Sequence, residues 1–589
     1  MGGPRSFNLA DVWEMAADHV PDREALVVGD ERRTYAQLED RANRLASWLS
    51  AQGVGPGDHV GVHLQNGPEY VEAMLAAFKL RAVPVNVNYR YVTDELRYLL
   101  DNSGSVVAIT QPSLADRVDA VRPSLPGLRA VLVAGDDYDA ALAASSSERP
   151  AVERSGDDHY VLYTGGTTGL PKGVVWRHED AFFACIGGGD PMRLLGAVDE
   201  PHQLVDRLLD QSFCYLPLAP MIHAAAQWTS LSWLFCGGKV VLMPGSLDPA
   251  AVWRAVADEG VQSMTVIGDA VARPLLDEWD RAGGYDASSL FSFSNGGAPM
   301  SQATKERVFA TLPHVLLVDG FGSSEAGTQG ASRLTADKTA SGASLVTFDA
   351  PTKPILVVDS VGPAGEVGDP VEPGSGVVGH VLAGGRLPLG YHNDPERTAA
   401  TFLERDGERW LVTGDMATVE ADGSIGLRGR ASGVVNTGGE KVFPEEVESV
   451  LKAHPAVYDC LVVGVADERW GSAVCAVVQP VPGAAPPGLD DLVAHCKDRL
   501  AGYKAPKRLV LVDQVVRSPT GKPDYRWAAS AAAGPGAAGS GGSAGSAGSA
   551  GSGSGGSAGS AGSAGSAGSA GSAGSAGSAG SAGSAGSAG

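Results

Sequence analysis

Between Lys239 and Val318 the chain alternates short apolar runs with stretches whose apolar residues recur at helical spacing. Lys239–Met243, Ser263–Ile267, Leu290–Ser294 and Val315–Val318 read as strands. Helices are predicted from Pro249, over Ala270–Trp279 and over Ser301–Leu312. The first of these opens on Asp248-Pro249, an N-cap acceptor followed by a residue that tolerates the first helical position. Upstream, Leu38, Ala42, Leu45, Ala46 and Leu49 place a helix within Thr34–Val54. Alternation of this kind builds a layered α/β fold around a largely parallel sheet. Ligands of such sheets gather at the carboxyl ends of the strands. Asn295-Gly296-Gly297-Ala298-Pro299 and Asp319-Gly320-Phe321-Gly322 are expected at those ends.

The rest of the chain divides by composition. Its 589 residues exceed one small core. From about Ser344 to Arg430 glycine, proline and valine become dense, which suits a small β-rich subdomain. Beyond Arg430 a helix at Pro444–Ala453, strands at Asp459–Val465 and Ala473–Val478, a helix at Leu489–Arg499 and a strand at Arg508–Val512 form a compact α+β pattern. From Ala528 onward only Ala, Gly and Ser occur, apart from Pro535. Such a stretch cannot bury enough apolar area to offset chain entropy. The expected architecture is therefore α/β: a large N-terminal domain at 1–430 with layered α/β subdomains and a small β subdomain, a small mobile α+β domain at 431–527, and a disordered Gly-Ser-Ala tail at 528–589, natural or engineered.

Charge narrows the partners. Against 68 acidic residues stand 45 basic ones, a net charge of −23. A strongly acidic surface repels phosphate backbones and anionic lipid heads, so no nucleic acid is expected. No apolar run approaches the roughly 18–20 residues of a membrane span. The N-terminus lacks the apolar core of a signal peptide. Gly2 and Ser6 satisfy the loose myristoylation pattern, which is too short to carry weight. The six cysteines are scattered without C-x-x-C spacing and suit free, buried thiols in a reducing cytoplasmic compartment. A homo-oligomer is left open.

The sharpest motif is Tyr163-Thr164-Gly165-Gly166-Thr167-Thr168-Gly169-Leu170-Pro171-Lys172-Gly173, directly after a short apolar strand. Its glycines let backbone amides approach an anion closely. Thr164, Thr167 and Thr168 add hydroxyl donors, and Lys172 adds a point charge. The loop suits a polyphosphate. It is not a Walker A loop, because Pro171 separates glycine from lysine and no Ser or Thr follows Lys172. Two further motifs fail on inspection. His178-Glu179 begins like a zincin sequence, but Phe182 occupies the second histidine position. Gly320-x-Gly322 has Glu325 where a dinucleotide fingerprint needs its third glycine.

At this loop the chain resembles the adenylate-forming superfamily of acyl-CoA synthetases, luciferases and peptide-synthetase adenylation domains, over about Phe7–Trp527. Five further segments carry the resemblance in the family's order. Asn295-Gly296-Gly297-Ala298-Pro299 is similar to its adenine-side loop, and Asp319-Gly320-Phe321-Gly322-Ser323-Ser324-Glu325 to its Tyr-Gly-x-Thr-Glu signature. Trp410-Leu411-Val412-Thr413-Gly414-Asp415 resembles its ribose-binding segment. Gly429-Arg430, then Gly438-Gly439-Glu440-Lys441, resemble its hinge and the loop beyond. Ser518-Pro519-Thr520-Gly521-Lys522 resembles its catalytic-lysine motif.

The resemblance implies ATP, Mg2+ and CoA as the small molecules handled, together with a carboxylic acid. Thr164, Gly165, Gly166, Thr167, Thr168, Gly169 and Lys172 would hold phosphates. Gly297, Ala298, Pro299, Asp319, Gly320, Phe321, Gly322 and Ser324 would surround the nucleotide, with Asp415 and Arg430 at the ribose. Glu325 would be the metal ligand and Lys522 the catalytic cation. His223 would stand at the acyl entrance, although a structural histidine is as consistent with the residues around it. Gly438, Gly439, Glu440 and Lys441 would serve the CoA side after rotation about Ser432.

Three positions depart from the pattern: Phe321 replaces a tyrosine, Gly165 a serine, and Ser432 the usual charged hinge residue. Apolar or small stretches, Phe182–Gly189, Ala224–Trp228 and Ile267, are expected to line the acid pocket. The expected activity is an acyl-CoA synthetase acting on a hydrophobic fatty or steroid side-chain acid through an acyl-adenylate. Two alternatives stay open: an acyl-AMP ligase loading a carrier protein, and a non-catalytic nucleotide-binding homologue.

Overall fold

A computed structural model describes residues 6–166, 169–209, 213–337, 347–348, 353–362, 365–437, 440–467, 469–517 and 522–534. Two large sheets and a smaller one make up the N-terminal part. The first has eight strands in the order Gly327–Leu334, Leu316–Ser323, Ser292–Asn295, Ser263–Val266, Cys214–Pro217, Lys239–Leu242, Glu24–Val28, Glu31–Thr34. Its inner strands are parallel, and antiparallel hairpins close both edges. The second has seven strands, with Val83–Asn86, His59–His63, Ser105–Thr110 and Ala130–Val133 in parallel and the hairpin His159–Gly166/Gly169–Arg177 on the other side. Among the described residues a six-stranded sheet is built from 347–348, 355–358 and 379–430.

Local chemistry explains the elements. The helix Pro249–Glu259 starts where Asp248 accepts from the amides of Ala250 and Ala251, at 3.0 and 3.1 Å, and ends at Gly260 in the left-handed region. Its Val252, Trp253 and Val256 are buried. The helix Tyr35–Ala51 is opened by a reciprocal Thr34/Gln37 capping box.

The strand predicted over Val315–Val318 runs on to Ser323. Asp319–Ser323 therefore forms half of a hairpin with Gly327–Leu334 rather than a loop at a strand end. Gly322 permits this: a Cβ there would stand 2.5 Å from the Gly327 carbonyl oxygen.

The C-terminal domain is a three-stranded sheet, Val457–Asp467, Gly471–Pro480 and Arg508–Leu511, packed between helices. Leu492 and Cys496 of Leu489–Lys497 cover one face with Val447 and Leu451 of Pro444–Lys452. The opposite face is covered by a helix over Tyr525–Ala533. That helix corrects the expectation of a tail beginning at Ala528: Ala528 and Ala532 are buried against Leu461, Val463, Cys475 and Val477. Residues 535–589 lie outside the described part.

Candidate active site

The glycine-rich motif is the end of a β-hairpin. Thr164 pairs with Lys172 and Gly166 with Gly169 across it; Thr167 and Thr168 lie outside the described residues. Gly165 is exposed. Asn86 anchors the hairpin: its Oδ1 accepts from the Tyr163 amide at 2.7 Å, and its Nδ2 donates to the carbonyls of Tyr163 and Ile222. One buried amide thus ties the hairpin to the segment carrying His223.

Lys172 leaves its strand toward Glu325, with 2.9 Å between Nζ and Oε1. Tyr391 completes a triangle, its hydroxyl accepting from Lys172 Nζ at 2.9 Å and donating to Glu325 Oε1 at 3.2 Å. Burial opposes the charge on Glu325, but Lys172, with Arg430 further off, holds its carboxyl below the ordinary range. The backbone around Glu325 is pinned as well. Trp176 Nε1 donates to the Ser324 carbonyl at 2.9 Å, and Lys353 Nζ to the Ala326 carbonyl at 2.7 Å.

Asp415 and Arg430 face each other across antiparallel strands. Arg430 Nε stands 2.9 Å from Asp415 Oδ1, and Arg430 also donates to the Thr413 carbonyl at 3.0 Å. Burial pushes the Asp415 carboxyl above its usual range, Arg430 offsets part of this, and the charge of Glu325 reaches it too. From the C-terminal domain, Lys522 lies within electrostatic reach of Arg430 and Glu325. Its surroundings and Arg430 lower its proton affinity. Its side chain remains accessible to solvent. Lys522 also acts on His223, whose imidazole burial holds neutral, with a pKa about 3.

The structure thus gathers Lys172, Glu325, Asp415, Arg430, Lys522 and His223, segments separated by most of the chain. Lys172, Arg430 and Lys522 bring three cations to one place in a protein with a net charge of −23, set among the carboxylates of Glu325, Asp415 and Glu445.

Other expected residues are placed differently. The Asp319 carboxylate faces inward, bonded to Asn295 Nδ2 at 2.8 Å and Lys305 Nζ at 2.6 Å. Its carboxylate therefore braces the loop before Gly297, so an expected contact of Asp319 with nucleotide would fall to its backbone. Asn295 also accepts from the Gly268 amide at 2.7 Å and donates to the Ala298 carbonyl at 3.0 Å, so Gly297, Ala298 and Pro299 are held from both sides. Glu440 and Lys441 are exposed on a two-stranded hairpin. Lys441 acts on His380 of the small sheet, and no contact among the described residues joins either to the Glu325 cluster. Gly438 and Gly439 lie outside the described residues. Ser432 is exposed in the short 3-10 turn Ala431–Gly433. Phe182 is buried and stacks on Phe7, with ring centres 5.2 Å apart. It is core, not pocket lining: the aromatic ring finds more apolar cover there than a cleft supplies.

Tyr391 and Asn86 were not singled out from the sequence. Tyr391 had a faint signal, the Gly390-Tyr391 pair before an Asn-Asp-Pro turn; Asn86 had none.

The AMP-binding enzyme family model matches residues 13–385, and that of the AMP-binding enzyme C-terminal domain matches 446–522. The chain is 45% identical over 540 residues to a 3-oxocholest-4-en-26-oate–CoA ligase of Rhodococcus rhodochrous, covering 89% of this chain and 95% of that protein. It is 44% identical over 535 residues to a medium/long-chain-fatty-acid–CoA/3-oxocholest-4-en-26-oate–CoA ligase of Mycobacterium tuberculosis, covering 89% and 96%. Among solved structures, an anthranilate CoA ligase in complex with anthranoyl-AMP aligns with TM-score 0.77 at 24% identity, covering 90% of this chain and 98% of that one. A Mycobacterium tuberculosis fatty acyl CoA synthetase aligns with TM-score 0.63 at 28% identity, covering 89% and 98%.

Proposed function

Since this chain belongs to the AMP-binding enzyme family, we propose that its gathered residues carry out the two half-reactions of an ATP-dependent, AMP-forming acyl-CoA ligase on a bulky hydrophobic acid. In the first, the acid's carboxylate attacks the α-phosphorus of ATP, an acyl-adenylate forms and pyrophosphate leaves. Catalysis of such a displacement is chiefly positioning and charge stabilisation. Lys172 and the backbone of the glycine hairpin hold the phosphates. Asp415 accepts from the ribose hydroxyls while Arg430 fixes its carboxylate. Lys522 meets the charge that develops between carboxylate and α-phosphate. The ring of His223, held neutral by burial, adds no positive charge to that which Arg430 already sets against Lys522.

Among the described residues no cluster of three or more His, Cys, Asp or Glu could hold a metal on its own. A half-buried carboxylate, Glu325, beside a phosphate-binding lysine fits Mg2+, which takes one or two protein carboxylates and completes its shell with phosphate and water. When bound, the ion would neutralise phosphate charge. Glu325 would hold it, and Lys172, now paired with Glu325, would be free for phosphate.

In the second half-reaction the CoA thiol attacks the acyl carbonyl and AMP leaves. A thiol of pKa about 8.5 is already a few per cent thiolate at neutral pH, so no dedicated base is required. Rotation about Ser432 would withdraw Lys522 and bring the Gly438–Lys441 segment to the cleft.

The named activities of the 44–45% identical relatives support a fatty or steroid side-chain acid. Six free, buried cysteines fit a reducing, cytoplasmic setting. Among the described residues no helix is long and apolar enough to cross a membrane.

The observation that carries this reading is the meeting of Lys172, Glu325, Asp415, Arg430 and Lys522 around one cleft. An acid panel with ATP and CoA, following AMP release and thioester together, tests it. Fatty and sterol side-chain acids should be consumed one for one with AMP. Absence of AMP release across the panel would refute the reading, and AMP release that needs acyl carrier protein in place of CoA would replace it with the carrier-loading alternative.

A further inference from the structure

A second charged assembly lies away from the cleft, between the helix Gly268–Ala282 of the N-terminal domain and the C-terminal domain. Lys452, at the end of the helix Pro444–Lys452, is buried with its Nζ 3.4 Å from Asp269 Oδ2 and 3.5 Å from Asp459 Oδ1. Asp459 in turn is held by Arg517, whose Nε and Nη2 reach its two oxygens at 2.7 and 2.8 Å. Arg517 faces Pro523, the residue after Lys522, as an isolated antiparallel pair. At the other end, Asp269 Oδ1 accepts from the Ser301 amide at 2.9 Å and from its hydroxyl at 3.2 Å. Ser301 directly follows the Gly297–Pro299 loop and Met300. Arg273, one turn beyond Asp269, bonds the carbonyls of Tyr458 and Lys452, the latter at 3.2 Å, and Tyr458 donates to Asp277 at 3.0 Å.

We infer that Asp269–Lys452–Asp459–Arg517 is a positioning strut that holds Lys522 over the cleft in the adenylate-forming arrangement of the two domains and is dismantled when the C-terminal domain turns for thioester formation. The inference rests on the two half-reactions proposed above. Its physics is state-specific. A buried carboxylate and a buried ammonium favour the arrangement that keeps them together: without Lys452, Asp269 keeps only Arg273 at 4.0 Å, and without Asp269, Lys452 loses the one carboxylate it meets across the domain boundary and keeps Asp459 of its own domain. Once the domains part, both return to water and neither needs a partner. The pair therefore discriminates between domain arrangements rather than stabilising both. Asp459 and Arg517 remain paired within their own domain, so the Arg517–Pro523 pairing next to Lys522 moves with that domain. The Asp269–Lys452 contact, with the Arg273 bonds beside it, is the joint that opens.

The test uses the full chain. Asp269→Asn keeps the Ser301 cap but removes the charge facing Lys452; Lys452→Met keeps side-chain length without charge. Each should slow pyrophosphate exchange about tenfold, while thioester formation from supplied acyl-adenylate stays within twofold of the parent. The double variant should be no slower than the slower single, since both break one joint. Equal loss in both half-reactions, or additive losses, would overturn the strut. A readout independent of activity separates its failure from failure of the proposed reaction. All six native cysteines are buried, so spin labels at Ala282→Cys and Ala494→Cys, both exposed, report the interdomain distance alone. Asp269→Asn and Lys452→Met should displace or broaden that distance, and an unchanged distribution in both variants would refute the proposal even if no acid substrate is found.

Discussion

Lys172 and Glu325 stand 2.9 Å apart, joined a second time through the Tyr391 hydroxyl. The cation expected to meet phosphate and the anion expected to meet Mg2+ therefore neutralise each other before nucleotide arrives. Both are then presented in fixed geometry, so little reorganisation is needed when ATP and its metal replace the pair.

The Tyr391 hydroxyl follows as the first test. Tyr391→Phe keeps the ring over Lys172, where the ammonium lies 4.3 Å from its centre, and removes only the two hydrogen bonds. A lost bond to a charged group amounts to about 1.5–3 kcal/mol. Pyrophosphate exchange should fall about 10- to 100-fold, with KM for MgATP raised and KM for the acid unchanged. A variant with parental MgATP kinetics would remove Tyr391 from the site.

Lys522→Ala separates the half-reactions. Loss of one preorganised cation at the developing charge should cost about 100- to 1,000-fold in acyl-adenylate formation. Thioester formation from supplied acyl-adenylate should persist, because the C-terminal domain carries Lys522 away in that step. Equal loss in both would contradict the domain alternation.

Glu445 gives a pH signature. It lies against Gly429 and Arg430, with Asp415 and Glu448 among the charges around it and Tyr525 nearby. Burial first, then Glu448, push its carboxyl up to about 7 from an ordinary 4.5. The folded state thus binds this proton more tightly than the unfolded chain. Its contribution is complete below pH 4.5 and is lost as pH rises to 7, about 3 kcal/mol in all. Glu445→Gln, which cannot ionise, should lose less stability than the parent between pH 5 and pH 8 in urea unfolding. Identical pH slopes for the two proteins would refute the assignment.

Gly268 sits at φ +55, and a Cβ there would meet the Pro299 carbonyl oxygen at 2.6 Å. Gly268→Ala should destabilise the fold by about 1–3 kcal/mol and raise KM for ATP, since the Ala298-Pro299 backbone must move. Unchanged ATP affinity with lowered stability would make Gly268 purely structural.

What could be read from the sequence was whatever its chemistry writes contiguously. The glycine-threonine hairpin, the Gly-Ser-Ser-Glu run and Thr413-Gly414-Asp415 each combine turn-forming residues with a reactive side chain inside a few positions. The α/β alternation is equally local. Relationships between distant residues were not legible. Tyr391 meets Lys172 across 219 positions and Glu325 across 66, and nothing near Gly390-Tyr391 announces either partner. Asp319 shows the converse: it lies inside a contiguous motif, but the motif does not announce that Lys305 from a neighbouring helix pairs with its carboxylate. The Asp269–Lys452 joint joins two domains, so neither domain's own pattern contains it.

The last helix carries a practical consequence. Tyr525–Ala533 ends in Ala-Ala-Ser-Ala-Ala-Ala, the same vocabulary as the repeats that follow, yet its register sets Ala528 and Ala532 on the sheet. Composition is therefore a poor guide to where this protein can be cut. A chain shortened to Gly534 keeps the sheet's outer face sealed, whereas one ended at Trp527 strips the cover from Leu461, Val463 and Val477 and leaves an adhesive apolar patch a few residues from Lys522.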